Sequence, residues 1–321
     1  IELYTMFLLT RPYSLLDNSK CKNIRHFATF VSPYVREQLR LGNAPEIILT
    51  HYSDTNDFVR YRARPTILFC QVTPMDEEGY FTMGYNSLGH RVAAEMADRV
   101  IVQVNRNLPK IAGECNRLHI GEVTAIYEED TPVHTSIPQP HTELDTKAAG
   151  FVAERICDGA TLQIGVGRVP DAIGPLLRDH RNLGVHTELF SQSLMELMKA
   201  GVINNSKKTL LPGKAVFSFA GGQLDFVRGA RWSKGGKSFI VINSTTEGKD
   251  GNRLSKIDVA LPLGSAVTTP RADVDCIVTE YGVAELRFKS LSERAHALIA
   301  IAHPEFRDDL TRKAKAAGYF I

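Results

Sequence analysis

Two neighbouring stretches decide the fold: TLQIGVGRVPDAIGPLLRDH at residues 161–180 and LGVHTELF at residues 183–190. The order is an apolar run, a Gly-x-Gly turn, a helix-like segment beginning near Pro170 and a second apolar run. This order is typical of a strand–helix–strand crossover between parallel strands. Ligands of such units lie beyond the carboxyl ends of the strands. Residues 165–167 and Glu188 are therefore the first candidates for a site.

Similar apolar runs recur along the chain, and helix-like segments such as residues 88–97 and 146–157 separate several of them. Short apolar strands that alternate with helices predict an α/β fold with mainly parallel sheets. The predicted strands are residues 46–50, 66–72, 99–104, 161–166, 184–190, 238–243 and 276–281.

The chain of 321 residues is longer than one hydrophobic core usually serves. The proline-rich segment at residues 132–145 lacks periodicity and predicts a linker, which divides the chain into domains at residues 1–140 and 141–321. Near the end of the chain, Ser290 and Glu293 have the spacing of a capping box and predict a helix from about residue 291. Pro304 ends that helix, and a second one follows up to Gly318.

Composition excludes several classes of partner. The formal net charge is +2 and there is no basic run, so neither nucleic acid nor a membrane surface is indicated. No apolar segment reaches the roughly 18 residues of a membrane span. The five scattered cysteines predict the reduced thiols of a cytoplasmic protein. The histidines lack the spacing of metal ligands, so we expect no metal.

Glu188 interrupts an otherwise apolar run. Val185, Thr187 and Leu189 alternate with His186 and Glu188, as in a half-buried strand. Such a strand gains nothing from a carboxylate, so Glu188 either points to water or does chemistry. His186 shares its face of the strand and either packs or orients the site.

The glycine pairs are ambiguous by pattern alone. The turn at residues 165–167 presents backbone N–H groups at the start of a helix, where an anion is favoured. It equally fits a tight turn without a ligand, because Pro170 stands where the dinucleotide fingerprint has its third glycine. Gly221 and Gly222 indicate either a turn or a close approach to the backbone.

Longer motifs make the pattern specific. In order along the chain, they are DEEGYFTMG (76–84), IVQVNRNLP (101–109), TLQIGVGRVPDAI (161–173), LGVHTELFS (183–191), AGGQLDFVRGA (220–230), RLSKI (253–257), VTTPRADVDCIVTEYGVAELRFKSL (267–291) and ERAHALIAIAHPEFRDDL (293–310). With them the chain resembles the acetyl-CoA hydrolase/transferase family. It is most similar to the members that transfer CoA to 4-hydroxybutyrate, acetate or butyrate.

The resemblance implies two similar open α/β domains and an enzyme that moves CoA between an acyl-CoA and a short-chain carboxylate. Glu188 would be the nucleophile that forms a glutamyl anhydride and then a glutamyl-CoA thioester. CoA would be a substrate, with no permanently bound cofactor, and the protein would be a homodimer or a higher homo-oligomer. The residues implied to bind the acyl group, the oxyanion or CoA are Gly165, Val166, Gly167, Gly221 and Gly222. Those that the resemblance offers as support around the site are His186 and Gln223.

The chain also departs from the family pattern. Members carry a further segment before the position of Ile1, and a long stretch between the PGK motif at residues 212–214 and GGQLDF at residues 221–226. The second domain is therefore expected to be incomplete, with the gap near residues 214–218. Two alternatives stay open: an acyl-CoA hydrolase with the same nucleophile, and a truncated relative that only binds or assembles.

Overall fold

The computed structural model describes residues 1–5, 21–42, 45–85, 87–133, 135, 140–217 and 221–319. Contacts within the chain separate two compact units, residues 1–134 and residues 135–321. Both units combine helices with sheets, and most strand pairs of the described residues are parallel, so the predicted fold class is confirmed. The antiparallel pairs of unit 2 join Thr245–Glu247 to Arg253–Ser255 and Cys276–Thr279 to Gly282–Glu285.

Unit 1 is built around short strands with few helices between them. Its strands are β1 (Glu2–Thr5), β2 (Arg25–Ala28), β3 (Glu46–Ile47), β4 (Ile67–Val72), β5 (Tyr80–Thr82), β6 (Arg99–Val104), β7 (Arg117–His119) and β8 (Ala125–Glu128). Its helices are α1 (Pro33–Arg40), α2 (Thr55–Phe58), which continues as a π-helical turn (Val59–Ala63), and α3 (His90–Met96). Short 3₁₀ turns lie at Tyr52–Asp54, Glu114–Asn116 and Ile120–Glu122.

Two parallel sheets, β1–β2–β3 and β4–β6–β8, and the antiparallel pair β5–β7 form unit 1. Strand β6 has the predicted bounds and pairs with β4 so that Val72 lies opposite Val104. Val72, Val102 and Leu118 are fully buried in the core of this unit. The β-branched residues of β4 and β6 are thus used as their sequence predicts, on a buried sheet face.

Unit 2 contains the Gly-x-Gly turn and Glu188. Its helices are α4 (Glu143–Ala153), α5 (Arg168–Leu176), α6 (Gln192–Lys199), α7 (Gln223–Trp232), α8 (Leu291–Ala300) and α9 (Arg307–Ala316), with a 3₁₀ turn at Pro304–Phe306. Its strands are β9 (Thr161–Leu162), β10 (Gly184–Val185), β11 (Phe239–Val241), β12 (Thr245–Glu247), β13 (Arg253–Ser255), β14 (Cys276–Thr279) and β15 (Gly282–Glu285).

Strands β9 and β10 form a parallel pair, and β11–β14–β15 form a mixed sheet. One apolar core lies behind both, with Ala149, Leu177, Val185, Leu194 and Val278 fully buried. Helices α4, α5 and α6 contribute to this core, so it fixes the carboxyl ends of β9 and β10 from behind.

Capping boxes set two helix starts in unit 2. Ser290 and Glu293 exchange hydrogen bonds, and α8 begins at Leu291 as predicted. Helix α4 begins at Glu143, inside the segment predicted as a linker. The reason is a second box, in which the Thr142 hydroxyl accepts from Asp145 N–H and the Asp145 carboxylate accepts from Thr142.

The cysteines are all free thiols. Cys70 and Cys276 are buried, and burial raises the pKa of each thiol to about 12. Cys115 and Cys157 are exposed, and Cys21 is intermediate. Within the described ranges, no helix combines the length and the apolar character that crossing a membrane requires.

Candidate active site

Glu188 lies just beyond the end of a very short strand. The predicted strand at residues 184–190 is too long, because β10 ends at Val185 and only a single bridge continues it, between His186 and Val216. The chain bends at Glu188 and Leu189, which places the carboxylate past the carboxyl end of a parallel strand. Glu188 is half-buried there.

Thr187 holds this bend. Its backbone N–H donates to Val216 O at 2.9 Å. Its fully buried hydroxyl accepts the N–H of Ile164 at 3.3 Å and lies 3.1 Å from Ile164 O and 3.2 Å from Leu189 O. The residue that precedes Glu188 is therefore attached to the residue that precedes Gly165.

The register places the glycine turn at the same edge as Glu188. Leu162 of β9 is paired with Val185 of β10. Gly165 and Glu188 lie equally far beyond that pair along their strands. The structure therefore brings the two candidates from the crossover to one edge of the sheet, as the sequence predicts.

The glycine turn has unused donors. Among the described residues, no acceptor binds the backbone N–H of Gly165, Val166 or Gly167, and all three residues are exposed. Helix α5 begins at Arg168, earlier than predicted, with Gly167 as its cap at φ 129°. That φ favours glycine. The turn thus offers free amides at a helix N-terminus, where negative charge is favoured.

Electrostatically, Glu188 differs from an ordinary surface acid. Burial raises the pKa of its carboxyl above the usual value. Within the described part of the chain it forms no hydrogen bond and no ion pair. A partly desolvated carboxylate without a partner costs free energy, and such groups cluster at functional sites.

His186 and Lys208 lie behind the bend. Burial, and then the positive charge of Lys208, lower the pKa of His186 below its usual value, which favours the neutral imidazole. Lys208 is itself buried, and its ammonium donates to Val185 O at 2.8 Å and to Lys214 O at 2.7 Å. Sequence reasoning missed Lys208, because the pair Lys207–Lys208 has the pattern of a solvated surface.

The second glycine pair, Gly221 and Gly222, lies at the N-terminus of helix α7. Gly221 has φ 148°, and a Cβ there would lie 2.9 Å from the Cβ of Asp225. The N–H of Gly222 donates to Asp225 Oδ2 at 2.8 Å, so this amide is already used. The Gln223 amide donates to Thr269 Oγ1 at 2.7 Å. No hydrogen bond in the described ranges joins these three residues to the Glu188 bend.

Family models match both halves of the chain. The model of the acetyl-CoA hydrolase/transferase N-terminal domain matches residues 8–138, and that of the C-terminal domain matches residues 192–314. The chain is also 35% identical to 4-hydroxybutyrate coenzyme A transferase of Clostridium kluyveri, over 92% of this chain and 82% of that protein. This chain belongs to the acetyl-CoA hydrolase/transferase family. Glu188 and the glycine turn fall between the two matched ranges.

Other relatives agree with this family. Butyryl-CoA:acetate CoA-transferase of Anaerostipes caccae is 32% identical, over 83% of this chain and 75% of that protein. The crystal structure of RipA from Yersinia pestis superposes with a TM-score of 0.87 at 30% identity, over 95% of this chain and 84% of that one. Relatives named acetyl-CoA hydrolase are less similar to this chain than those named CoA-transferases.

The Clostridium kluyveri alignment bears on the expected internal gap. It spans 358 positions, more than the 321 residues of this family member, so the relative has internal residues without a counterpart here. The segment at residues 218–220, next to the predicted position, lies outside the described residues.

An ion pair to helix α4 holds the residue that follows the glycine turn at residues 165–167. Arg168, directly after the turn, lies 3.5 Å from the carboxylate of Asp145, which is 1% exposed and caps α4. Burial raises the pKa of Asp145, but its bonds from Thr142 and the charge of Arg168 outweigh this, so its pKa lies below the usual value. The sequence places this acid in a predicted linker, although its position three residues after Thr142 has the spacing of a capping box.

Proposed function

We propose that this protein transfers CoA between an acyl-CoA and a short-chain carboxylate such as acetate, butyrate or 4-hydroxybutyrate, with Glu188 as the nucleophile. The observation that carries the proposal is the unpaired, half-buried carboxylate of Glu188 at the same sheet edge as the free amides of residues 165–167. A nucleophile and donors for an oxyanion are what acyl transfer requires.

In the first half-reaction, a carboxylate oxygen of Glu188 attacks the thioester carbonyl carbon of the acyl-CoA. The carbon–sulfur bond breaks, CoA leaves as the thiolate, and an acyl–glutamyl anhydride remains. The thiolate then attacks the side-chain carbonyl carbon of Glu188. The first carboxylate departs, and a glutamyl-CoA thioester is formed.

The second half-reaction runs these steps in reverse with another acid. The incoming carboxylate attacks the glutamyl thioester carbonyl, the thiolate leaves, and a new mixed anhydride forms. The thiolate attacks the acyl carbon of that anhydride. The new acyl-CoA and the free carboxylate of Glu188 result. No general base is needed, which fits a neutral His186.

Each tetrahedral intermediate carries an oxyanion. The free N–H groups of Gly165, Val166 and Gly167 are the proposed donors, and one such donor is typically worth about 3 kcal/mol. Because the Gly222 amide already donates to Asp225, Gly221, Gly222 and Gln223 are proposed to line the pocket instead. The raised pKa of Glu188 supports a more basic, and hence more nucleophilic, carboxylate.

Hydrolysis is the second candidate, because the turn at residues 165–167 is exposed and water could intercept the same intermediate. The greater similarity to CoA-transferases supports transfer. Measuring the release of free CoA from acyl-CoA, with and without added acetate, separates the two. Release without a new acyl-CoA indicates hydrolysis. Binding of acyl-CoA without turnover indicates a relative that only binds.

The test of the nucleophile is Glu188→Ala. We expect a loss of CoA transfer on the order of 10⁴-fold or more. We also expect the loss of the hydroxylamine-sensitive adduct that mass spectrometry should place on the peptide containing residue 188. Glu196→Ala is the matched control, because Glu196 is an exposed acid on α6 whose partners lie at the surface: it accepts from Gln192 at 3.0 Å and lies 3.9 Å from Arg178. Transfer by Glu188→Ala at the parental rate would refute the proposal.

The proposal includes a cytoplasmic location, CoA as a substrate rather than a bound cofactor, and assembly as a homodimer or a higher homo-oligomer. The five free thiols support a reducing compartment. Light scattering on the purified protein measures the assembly directly.

A further inference from the structure

Lys208 is a buried cation without a carboxylate. It is 6% exposed, and no Asp or Glu in the described ranges forms an ion pair with it. Its two acceptors are carbonyl oxygens, Val185 O at 2.8 Å and Lys214 O at 2.7 Å. Burial lowers its pKa from the usual value. Removing an ammonium from water is costly even with such bonds, so its position calls for an explanation.

The side chain of Lys208 reaches the last residue of β10. Val185 O also accepts the N–H of Val216 at 3.0 Å, so two donors hold this one carbonyl. Glu188 follows only three residues later. The position of Val185 therefore sets the start of the bend that carries the proposed nucleophile.

Gly184 leaves the space that the side chain of Lys208 occupies. A Cβ at position 184 would lie 2.6 Å from Cγ and 3.0 Å from Cδ of Lys208. The φ of Gly184 is not in the left-handed region, so the demand for glycine here is one of space. A side chain at position 184 would displace the lysine stem from the strand.

Asn205 completes the arrangement. Its Oδ1 accepts the N–H of Val185 at 2.9 Å, and its own backbone has φ 59°. Asn205 and Lys208 thus bind the N–H and the C=O of one strand residue from a single loop. On its other side, β10 is bonded to β9, where His186 N–H donates to Leu162 O at 3.0 Å.

We infer that Lys208 is a positioning residue for Glu188, which fixes the end of β10 so that the carboxylate meets the acyl carbon in the reactive geometry. This inference rests on the proposed role of Glu188. A misplacement of about 1 Å can reduce a rate about 100-fold without much change in binding. Loss of Lys208 should therefore lower kcat far more than it raises KM.

The primary test is Lys208→Met, which keeps most of the stem and removes the ammonium. We expect kcat for CoA transfer to fall about 10-fold to 100-fold, with KM for acyl-CoA within about 3-fold of the parental value. Lys207→Met is the matched control, because Lys207 is the exposed neighbour, and it should keep the parental kcat. A kcat of Lys208→Met within about 2-fold of the parent, whatever its thermal stability, would overturn the inference.

Hydrogen–deuterium exchange gives a readout that does not need turnover. In Lys208→Met the amides of residues 184–188 should exchange faster, while helix α7 keeps its protection. Unchanged protection of residues 184–188 would also overturn the inference. If Lys208→Met does not fold, Gly184→Ala displaces the stem with the charge kept, and the same selective loss of kcat is expected.

Failure of the proposed function has a different signature. Glu188→Ala would then transfer CoA at the parental rate, or the parent would bind acyl-CoA without turnover. Failure of the positioning role alone leaves Glu188→Ala inactive and Lys208→Met at the parental kcat.

Discussion

Two glutamates that follow strands in unit 2 are treated differently by their surroundings. Glu280, after β14, is 4% exposed and accepts from the N–H and the hydroxyl of Ser244 at 2.9 and 2.6 Å. Glu188, after β10, is only half-buried and has no partner in the described ranges. The more deeply buried acid is the better satisfied one. Burial alone therefore does not distinguish the proposed nucleophile from Glu280, whereas the lack of a partner does.

A third acid sharpens this contrast. Glu285 in β15 lies 3.1 Å from Lys237 and 3.9 Å from Arg155, and its bond to Lys237 holds its pKa below the usual value. It behaves as a surface ion-pair member. Of the three acids, only Glu188 has a carboxylate without a partner in the described ranges.

The largest effect that tests this contrast is on stability. Glu280→Ala leaves the fully buried N–H and hydroxyl of Ser244 without their acceptor, so we expect the free energy of unfolding to fall by about 2–4 kcal/mol. Glu188→Ala removes no hydrogen bond of the described residues and should change it by less than about 1 kcal/mol. Urea unfolding measures both. Equal losses of unfolding free energy in the two variants would show that Glu280 and Glu188 do not differ in their contribution to stability.

A smaller effect is expected at Thr187, which joins the Glu188 bend to the glycine turn. Thr187→Val keeps the shape but leaves Ile164 N–H without its acceptor, at a cost of about 1–3 kcal/mol. The bend should also loosen, so kcat should fall about 10-fold. Thr187→Ser restores the hydroxyl and is the control, with most of the rate regained. A parental kcat in Thr187→Val would show that this link does not matter to catalysis.

The smallest effect is a displaced pH profile. Burial raises the pKa of Glu188 above its ordinary value of 4.5, and the reaction needs the ionised form. As pH falls, kcat/KM for acyl-CoA should therefore decline with a midpoint above 4.5. The measurement is steady-state kinetics over the pH range in which the protein remains folded. A midpoint at or below 4.5 would mean that Glu188 is not the group that titrates.

The raised pKa of Glu188 also makes the free energy of unfolding depend on pH, and linkage fixes the sign of this dependence. A carboxyl whose pKa is raised in the folded protein opposes folding once both states are ionised, and does not do so below the pKa of the unfolded chain. Glu188→Gln should therefore stabilise the protein at neutral pH, and the gain should disappear on acidification. A gain of equal size at all pH values would show that the raised pKa of Glu188 is not the cause of the stabilisation.

Sequence reasoning succeeded where one local pattern controls one local structure. The apolar run at residues 99–104 is β6 without change, and the Ser290–Glu293 spacing starts α8 at the predicted residue. The family inferred from the ordered motifs is confirmed by the matches to both of its domain models. The crossover also brings Gly165 and Glu188 to one sheet edge, because parallel register follows from alternating strands and helices.

It failed where side chains from distant segments decide the structure. The strand predicted at residues 184–190 stops early because Thr187 binds Ile164 and Leu189. The burial of Lys208 depends on space above Gly184, which no periodicity reveals. Gly222 is among the residues that the resemblance implies to bind the acyl group, the oxyanion or CoA, but its N–H donates to the Asp225 carboxylate. The domain limits and the roles of the site residues remain predictions.

The distribution of exposed and buried thiols allows each unit of this protein to be labelled at one native cysteine. Cys115 in unit 1 and Cys157 in unit 2 are exposed, whereas Cys70 and Cys276 are buried with thiol pKa values of about 12. Maleimide dyes react with accessible thiolates, so they should modify the exposed pair and spare the buried one. With Cys21 replaced by serine, a donor and an acceptor dye would report the separation of the two units by energy transfer, before and after acyl-CoA is added.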